Sequence, residues 1–172
     1  MNIIKKIYCR TFQQCFHIAI PFLPYREPEL IDGFSGIPDI LIKHNIKRIL
    51  LVTDSGVYGL GLTKPLENLL QKHGIFVSLY TDTVANPTSE NVEAGRTQYL
   101  KNHCEALLAF GGGSSMDCAK GIGARLARPH KSLSEMEGIL RVMHKLPLLI
   151  AIPTTAGTGS ETTLAAVITD SD

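Results

Sequence analysis

Gly111, Gly112 and Gly113 stand between an apolar run, Ala106 to Phe110, and a segment of helical character that opens at Ser114. A strand, a turn without side chains and a helix leave free backbone N–H groups at the positive end of a helix dipole. The missing side chains let that backbone approach an anion's oxygens closely. The chemistry such residues can do is phosphate binding. The run is neither G-x-G-x-x-G nor the Gly-Lys-Ser/Thr pattern of a P-loop, and the glycines by themselves also describe a tight β–α turn with no ligand. Ser114 and Asp117 have the S-x-x-D spacing of a capping box, which predicts Ser114 as the helix cap. A second group lies in residues 153–163, PTTAGTGSETT, where Thr154, Thr155, Thr158, Ser160, Thr162 and Thr163 crowd one turn. Hydroxyls both donate and accept, so they suit ribose, phosphate and carboxamide groups. The plainer reading is a loop with Ser160 as a helix cap.

These groups need elements to hold them. Arg48 to Thr53, Ile75 to Tyr80, Ala106 to Phe110 and Leu148 to Ile152 are apolar along their whole length, as expected of strands buried on both faces of a parallel sheet. A last short strand is expected at Ala165 to Thr169. Helical stretches alternate with the strands: Ser35 to His44, a helix capped by Thr63 and running to His73, one capped by Thr88 or Ser89 and running to Asn102, and one from Ser114 to about Leu126. Gly74 closes the second of these. Asp54-Ser55-Gly56 ends the first strand, and Gly121 and Gly123 are expected to pack a helix closely on the sheet. Pro129 to Lys145 reads as a polar excursion with a short helix near Ser134. Ile7 to Cys9 and Phe16 to Ile20 read as a pair of short strands. The alternation predicts an α/β fold, a Rossmann-like and mostly parallel sheet with helices on both faces. Ligands bind such sheets outside the carboxyl ends of the strands. Asp54, Gly111 to Ser114 and Thr154 to Thr158 each follow a predicted strand, so they should share one crevice.

Composition narrows the class. The 172 residues are 44% hydrophobic and 19% charged, with a net charge of +1. That composition is globular, fits one domain over 1–172, and argues against a dedicated nucleic-acid or membrane-surface binder. The N-terminal stretch lacks a cleavage site and is broken by polar residues, so neither a signal peptide nor a membrane span is expected and the cytoplasm is favoured. Cys9, Cys15, Cys104 and Cys118 show no C-x-x-C spacing and read as reduced thiols, with Cys118 a buried helix residue and not a nucleophile. His17, His44, His73, His103, His130 and His144 show no H-x-x-x-H pairing, so no metal ligand is assigned.

Taken together, VTDSG (52–56), NPTSENVEAG (86–95), GGGSSMDCAK (111–120), IPTTAGTGSETT (152–163) and AAVITD (165–170) resemble, in order and spacing, the nucleotide-binding N-terminal half of the iron-containing (metal-dependent) alcohol dehydrogenase family. The resemblance covers residues 47 to 172. It implies NAD as cofactor, with NADP left open, and hydride transfer between the nicotinamide and a small-molecule alcohol or aldehyde. It implies a divalent metal, iron or zinc, held by an aspartate and three histidines in a helical C-terminal domain that this chain does not reach. It leaves a homo-oligomer open. It places Asp54 at the adenosine ribose, where a carboxylate disfavours a 2′-phosphate, with Asp82 as the rival for that role and a turn-forming Asp as the plainer reading of Asp54. Asn86 would line the cofactor cleft, or serve only as a turn residue before Pro87. Gly112, Gly113 and Ser114 would hold the pyrophosphate. Thr154, Thr155, Thr158 and Thr163 would lie around the phosphates and nicotinamide ribose. Asp117 and Lys120 complete the glycine motif and read more simply as a capping acid with an i,i+3 ion pair. Ser115 departs from the family, in which many members carry proline. No catalytic acid or base is visible. The resemblance also leaves room for a related polyol-phosphate dehydrogenase or dehydroquinate-synthase-like enzyme, or for a non-catalytic nucleotide-binding fragment.

Overall fold

A computed structural model of the chain describes Arg10, Gln14, residues 28–138 and residues 141–169. The strand pair expected at Ile7 to Cys9 and Phe16 to Ile20 lies outside these residues, as do Cys9, Cys15 and His17. The chain divides into two compact units, Met1–Leu30 and Ile31–Asp172, and the elements below belong to the second.

Helix α1 (Ile37–Lys43) carries Pro38 and Asp39 in its first turn and Lys43 in its last, each at the end that suits it. Strand β1 (Arg48–Val52) follows, then a short helix α2 (Ser55–Gly59) and helix α3 (Lys64–Lys72). Gly74, at φ +72°, turns the chain into β2 (Phe76–Tyr80). Helix α4 (Ser89–Lys101) opens with a capping box in which Thr88 accepts from the Asn91 N–H and the Asn91 side chain accepts from the Thr88 N–H. Strand β3 (Ala106–Gly111), helix α5 (Gly113–Ala127), a 3₁₀ turn (Ser134–Met136) and strand β4 (Leu148–Pro153) complete the order.

The strands pair in the order β2-β1-β3-β4, all parallel. Leu51 of β1 stands beside Leu79 of β2 and Leu108 of β3. Because side chains alternate across a strand, β1 feeds two cores. Ile49 and Leu51 join Leu108, Phe110 and the α1 and α3 residues Ile37, Leu41, Leu66 and Leu70 on one face. Leu50 and Val52 join Leu107, Ala109 and the α4 and α5 residues Val92, Tyr99, Met116, Ala119 and Ile122 on the other. Every residue of β3 is buried, which explains its unbroken apolar run. Each fully buried leucine here contributes roughly 1.5–3 kcal/mol by leaving water.

Three local readings need correction. The strand expected at Ala165 to Thr169 is absent. Only Thr169 forms an isolated parallel bridge, with Thr88, because this stretch lies across α4 and α5 instead of joining the sheet edge. Asp54 does not end β1 in a turn: its carboxylate caps α2, accepting from the Val57 N–H at 2.9 Å. Thr63 sits at the N-cap of α3 but makes no side-chain cap bond; its hydroxyl donates to Glu67 Oε1 at 2.7 Å.

Two further contacts fix α5. A Cβ at Gly121 would stand 2.7 Å from Val92 Cγ2, so this glycine brings α5 against α4, not against the sheet; Gly123 is the one that faces β3, near Leu107. Arg125 is buried and donates to Glu93 of α4 as well as to the carbonyls of Arg128 and Pro129, at 3.0 and 3.3 Å, and of Lys131. Burial alone would raise the Glu93 carboxyl, but the hydrogen bonds and charges of Arg125 and Arg96 outweigh it and hold the group below its ordinary value near 4.5. A carboxyl with a depressed folded pKa stabilises above its unfolded pKa, and that contribution is lost as pH falls through the folded value. The stability gap between the native chain and Glu93→Gln is therefore expected at pH 7 and should close under acid. Denaturant melts across the acid range check this, and a pH-independent gap would mean that the carboxylate charge contributes nothing.

The described cysteines match expectation. Cys104 and Cys118 are free and buried, and burial pushes both thiols up to about 11. Thiolate is scarce at neutral pH in such sites, which disfavours a nucleophilic role for either.

Candidate functional site

The order β2-β1-β3-β4 places a topological switch point between β1 and β3. The chain leaves β1 toward one side of the sheet and leaves β3 toward the other, and in sheets of this kind ligands bind at such a point, outside the carboxyl ends of the strands. Asp54 lies just past β1, and Gly111 to Ser114 span the end of β3 and the start of α5. A Cβ placed on Gly111 would lie 3.3 Å from Asp54 Oδ2, so the acid and the glycine turn face each other as expected.

Helix α5 begins two residues earlier than the capping-box spacing predicts. Gly112 is the N-cap, in an extended conformation, with no side-chain cap bond. Met116 N–H is the first amide to reach a helical carbonyl, that of Gly112 at 3.2 Å, which leaves the Gly113, Ser114 and Ser115 amides at the helix end. Ser114, now inside the first turn, accepts through Oγ from the Asn86 N–H at 3.3 Å. Asp117 lies a turn too deep to cap and accepts from the Val167 N–H at 3.2 Å instead. Its i,i+3 ion pair with Lys120 is present at 3.7 Å. The glycine thus occupies the one position from which a side chain would have filled the amides. The result is an open, electropositive helix end.

The hydroxyl loop closes over this end. Thr154 N–H donates to the Gly111 carbonyl at 2.9 Å, extending the β3–β4 register by one residue. A Cβ on Gly112 would meet Thr155 Oγ1 at 3.4 Å, and one on Gly113 would meet Ser160 Oγ at 3.2 Å and Thr158 Cβ at 3.4 Å. Thr154, Thr155 and Thr158 are exposed. Gly157 and Gly159, at φ +93° and +65°, make the loop's bends. No helix follows Ser160, so it caps nothing and faces Gly113. Thr163 is separate from this group: its Oγ1 accepts from Lys120 Nζ at 2.8 Å on the flank of α5. Asn86 takes a left-handed φ of +55°, a conformation asparagine tolerates, and meets the glycine turn through its backbone.

Residue types alone did not single out two features. Asp82 pairs with Asp54 in an isolated antiparallel bridge, which brings both acids to the same rim. Ser115 is 1% exposed and its hydroxyl has no hydrogen-bond partner; it sits beneath Gly111, where a Cβ would come within 2.5 Å of Oγ. No sequence signal separates a buried helix serine from an exposed one at that position.

A cofactor fit can be tested on these atoms. Uncapped amides, a turn with no Cβ and a rim of exposed hydroxyls suit a diphosphate flanked by riboses. The fit to a metal fails among the described residues, where no group of three or more His, Cys, Asp or Glu side chains could hold an ion. Among the same residues no helix is long and apolar enough to cross a membrane.

Residues 32–172 match the sequence model of iron-containing alcohol dehydrogenases. A choline dehydrogenase of Bacillus subtilis is 42% identical over 129 residues, covering 74% of this chain and 32% of that protein. An NAD-dependent methanol dehydrogenase of Bacillus methanolicus is 37% identical over 153 residues, 87% of this chain and 39% of its own length. Among solved structures, a 1,3-propanediol oxidoreductase superposes with a TM-score of 0.78 at 31% identity, over 87% of this chain and 40% of that one. A sulfoacetaldehyde reductase of Bifidobacterium kashiwanohense, in complex with NAD+, gives 0.68 at 31% identity, over 86% and 40%. The chain spans about a third to two-fifths of the length of these relatives. With its motifs, its parallel α/β sheet and these matches in agreement, the chain belongs to the iron-containing alcohol dehydrogenase family.

Proposed function

We propose that this chain is the dinucleotide-binding half of a metal-dependent alcohol dehydrogenase, and that NAD lies across the carboxyl ends of β1 and β3. The observation that carries this reading is the uncapped start of α5 at the switch point, with Gly112 where a side-chain cap would stand. Gly112, Gly113 and Ser114 hold the pyrophosphate through backbone N–H groups and the helix dipole. Thr155 and Thr158 close over it from the facing loop. Thr154 and Asn86 flank the seat, and Thr163 supports it from the side of α5. Asp54 sits where the adenosine ribose would enter, and its charge disfavours a 2′-phosphate. When bound, NAD supplies the hydride acceptor for an alcohol, and its reduced form the hydride donor to an aldehyde. The chain's own part is to bind and orient the dinucleotide. The metal, iron or zinc, would be held outside the described residues, and the polarisation of the substrate oxygen would be its part.

Cofactor choice tests the ribose assignment. Asp54 also caps α2, so Asp54→Asn is the clean variant: it keeps a capping oxygen and removes the charge. The preference for NAD over NADP should shrink by about 1–3 kcal/mol at a partly exposed site, read as the ratio of the two dissociation constants. An unchanged ratio, with a changed ratio in Asp82→Asn, would move the role across the Asp54–Asp82 bridge. Failure of the native chain to bind either dinucleotide would remove the reading altogether.

A further inference from the structure

The end of the hydroxyl loop is tied down by charged groups that lie away from the glycine turn. Lys120 projects from the middle of α5 with its side chain 14% exposed. It donates through Nζ to Thr163 Oγ1 and to the Ala165 carbonyl, both at 2.8 Å. Asp117, one turn earlier and 9% exposed, accepts the Val167 N–H through Oδ2. Its second oxygen, Oδ1, is buried without a hydrogen bond and has the Lys120 ammonium 3.7 Å away. Alternate residues 163, 165 and 167 are thus held by one ion pair. Just beyond, Thr169 N–H donates to the Pro87 carbonyl at 2.9 Å, and its own carbonyl accepts from the Ser89 N–H at 3.1 Å. Gly121 lets the same stretch approach α5, since a Cβ there would meet Ile168 Cδ1 at 3.3 Å. The loop that faces Gly112 and Gly113 is therefore anchored at both ends: at Thr154 by the Gly111 carbonyl, and from Thr163 onward by the Asp117–Lys120 pair.

A flexible, glycine-bent loop pays an ordering cost each time it closes on a ligand, and a fixed anchor lowers that cost. A helical ion pair that served only stability would be expected on the solvent face, bonded within its own helix. This pair instead turns inward and spends its remaining hydrogen-bonding groups on the backbone and hydroxyl of one segment. We propose that Asp117 and Lys120 are positioning residues for the dinucleotide site: they touch no ligand, and they set the hydroxyl loop over the glycine turn by latching residues 163–167 to α5. The proposal rests on the dinucleotide reading of that turn.

The test uses the full chain and NAD itself, with amide hydrogen exchange measured in the absence of ligand. Lys120→Met keeps the side chain's length and removes its donors. Paired with Asp117→Asn, it also avoids leaving a bare carboxylate buried. In the double variant the Thr163 and Val167 amides, which donate to the Gly159 carbonyl and to Asp117, are expected to lose protection, while the β1 and β3 amides keep theirs, and NAD affinity should fall about tenfold. Lys120→Arg, which keeps the charge and donors, should restore much of both. Unchanged exchange at Thr163 and Val167 would overturn the latch. Weakened NAD binding with unchanged exchange would overturn it too, since it would mean that Lys120 meets the ligand directly. If the native chain binds no NAD, the dinucleotide reading fails, and the exchange comparison still decides whether the ion pair latches the segment.

Discussion

A Gly113→Val chain is expected to fold and to have lost most of its affinity for NAD. Gly113 is the first residue of α5 and lies outside the left-handed region of backbone space, so the backbone accepts a β-branched residue. Its Cβ would meet Ser160 Oγ at 3.2 Å and Thr158 Cβ and Cγ2 at 3.4 Å, side chains of a partly exposed loop that can shift. The two methyl groups would stand where the proposed pyrophosphate meets the helix amides. Losing one or two hydrogen bonds to a charged oxygen costs about 1.5–3 kcal/mol each, so the dissociation constant should rise by roughly one to four orders of magnitude. Thermal melts and NAD titration on the same sample separate this from a folding defect. A folded variant with unaltered affinity would remove the glycine turn from the binding site.

The neighbouring glycine should behave in the opposite way. Gly111 has a φ of +151°, and a Cβ there would lie 2.5 Å from Ser115 Oγ and 3.0 Å from Ser115 Cβ. The latter atom is fixed by the helix, so the contact cannot be relieved by a rotamer. Strain at such a backbone position costs about 1–3 kcal/mol, and the clash adds a comparable overpacking term. Gly111→Ala is therefore expected to cost about 2–6 kcal/mol of folding stability. Adding Ser115→Ala removes the nearer atom, and it removes a buried hydroxyl that has no partner. The double variant should recover part of the loss, leaving the backbone strain. Denaturant melts of the four chains form a double-mutant cycle. Additive effects would show that the Gly111 side of the turn does not meet Ser115.

The sheet and its helices were legible because the signal was redundant. Ala106 to Phe110 is apolar on both faces, and every residue of β3 is buried in the structure. Thr88 and Asn91 then cap the helix that leads into it. Local spacing misled where two solutions compete for the same residues. Ser114 and Asp117 have the spacing of a capping box, yet the helix starts at Gly113, because Gly112 can take the extended cap position and the Asn86 and Val167 amides claim the two side chains. The five-residue α2 was invisible for a different reason: two of its residues are glycines, and a single capping bond from Asp54 sustains it. In the stretch Ala165 to Thr169 only Ile168 packs on the α4–α5 core, while Val167 stays exposed, so its apolar residues resemble a strand in sequence without being buried as one. The proximity of Asp54, Gly111 and the Thr155–Thr158 loop followed from each standing just after a strand of a parallel sheet, at its carboxyl end. The latch of Thr163 onto Lys120 joins residues 43 positions apart, a pairing that no local pattern encodes.

The seat of the dinucleotide is tested most directly by titrating NAD into the isotope-labelled chain and following its amide resonances. The expected result is a saturable shift of the Gly112, Gly113, Ser114 and Ser115 amides, accompanied by Thr155 and Thr158, with the α1 and α3 amides unmoved. No shift at saturating NAD, or shifts confined to the open cavity lined by Ala127 to Lys131 and His144 at the far end of α5, would contradict a dinucleotide site on the glycine turn.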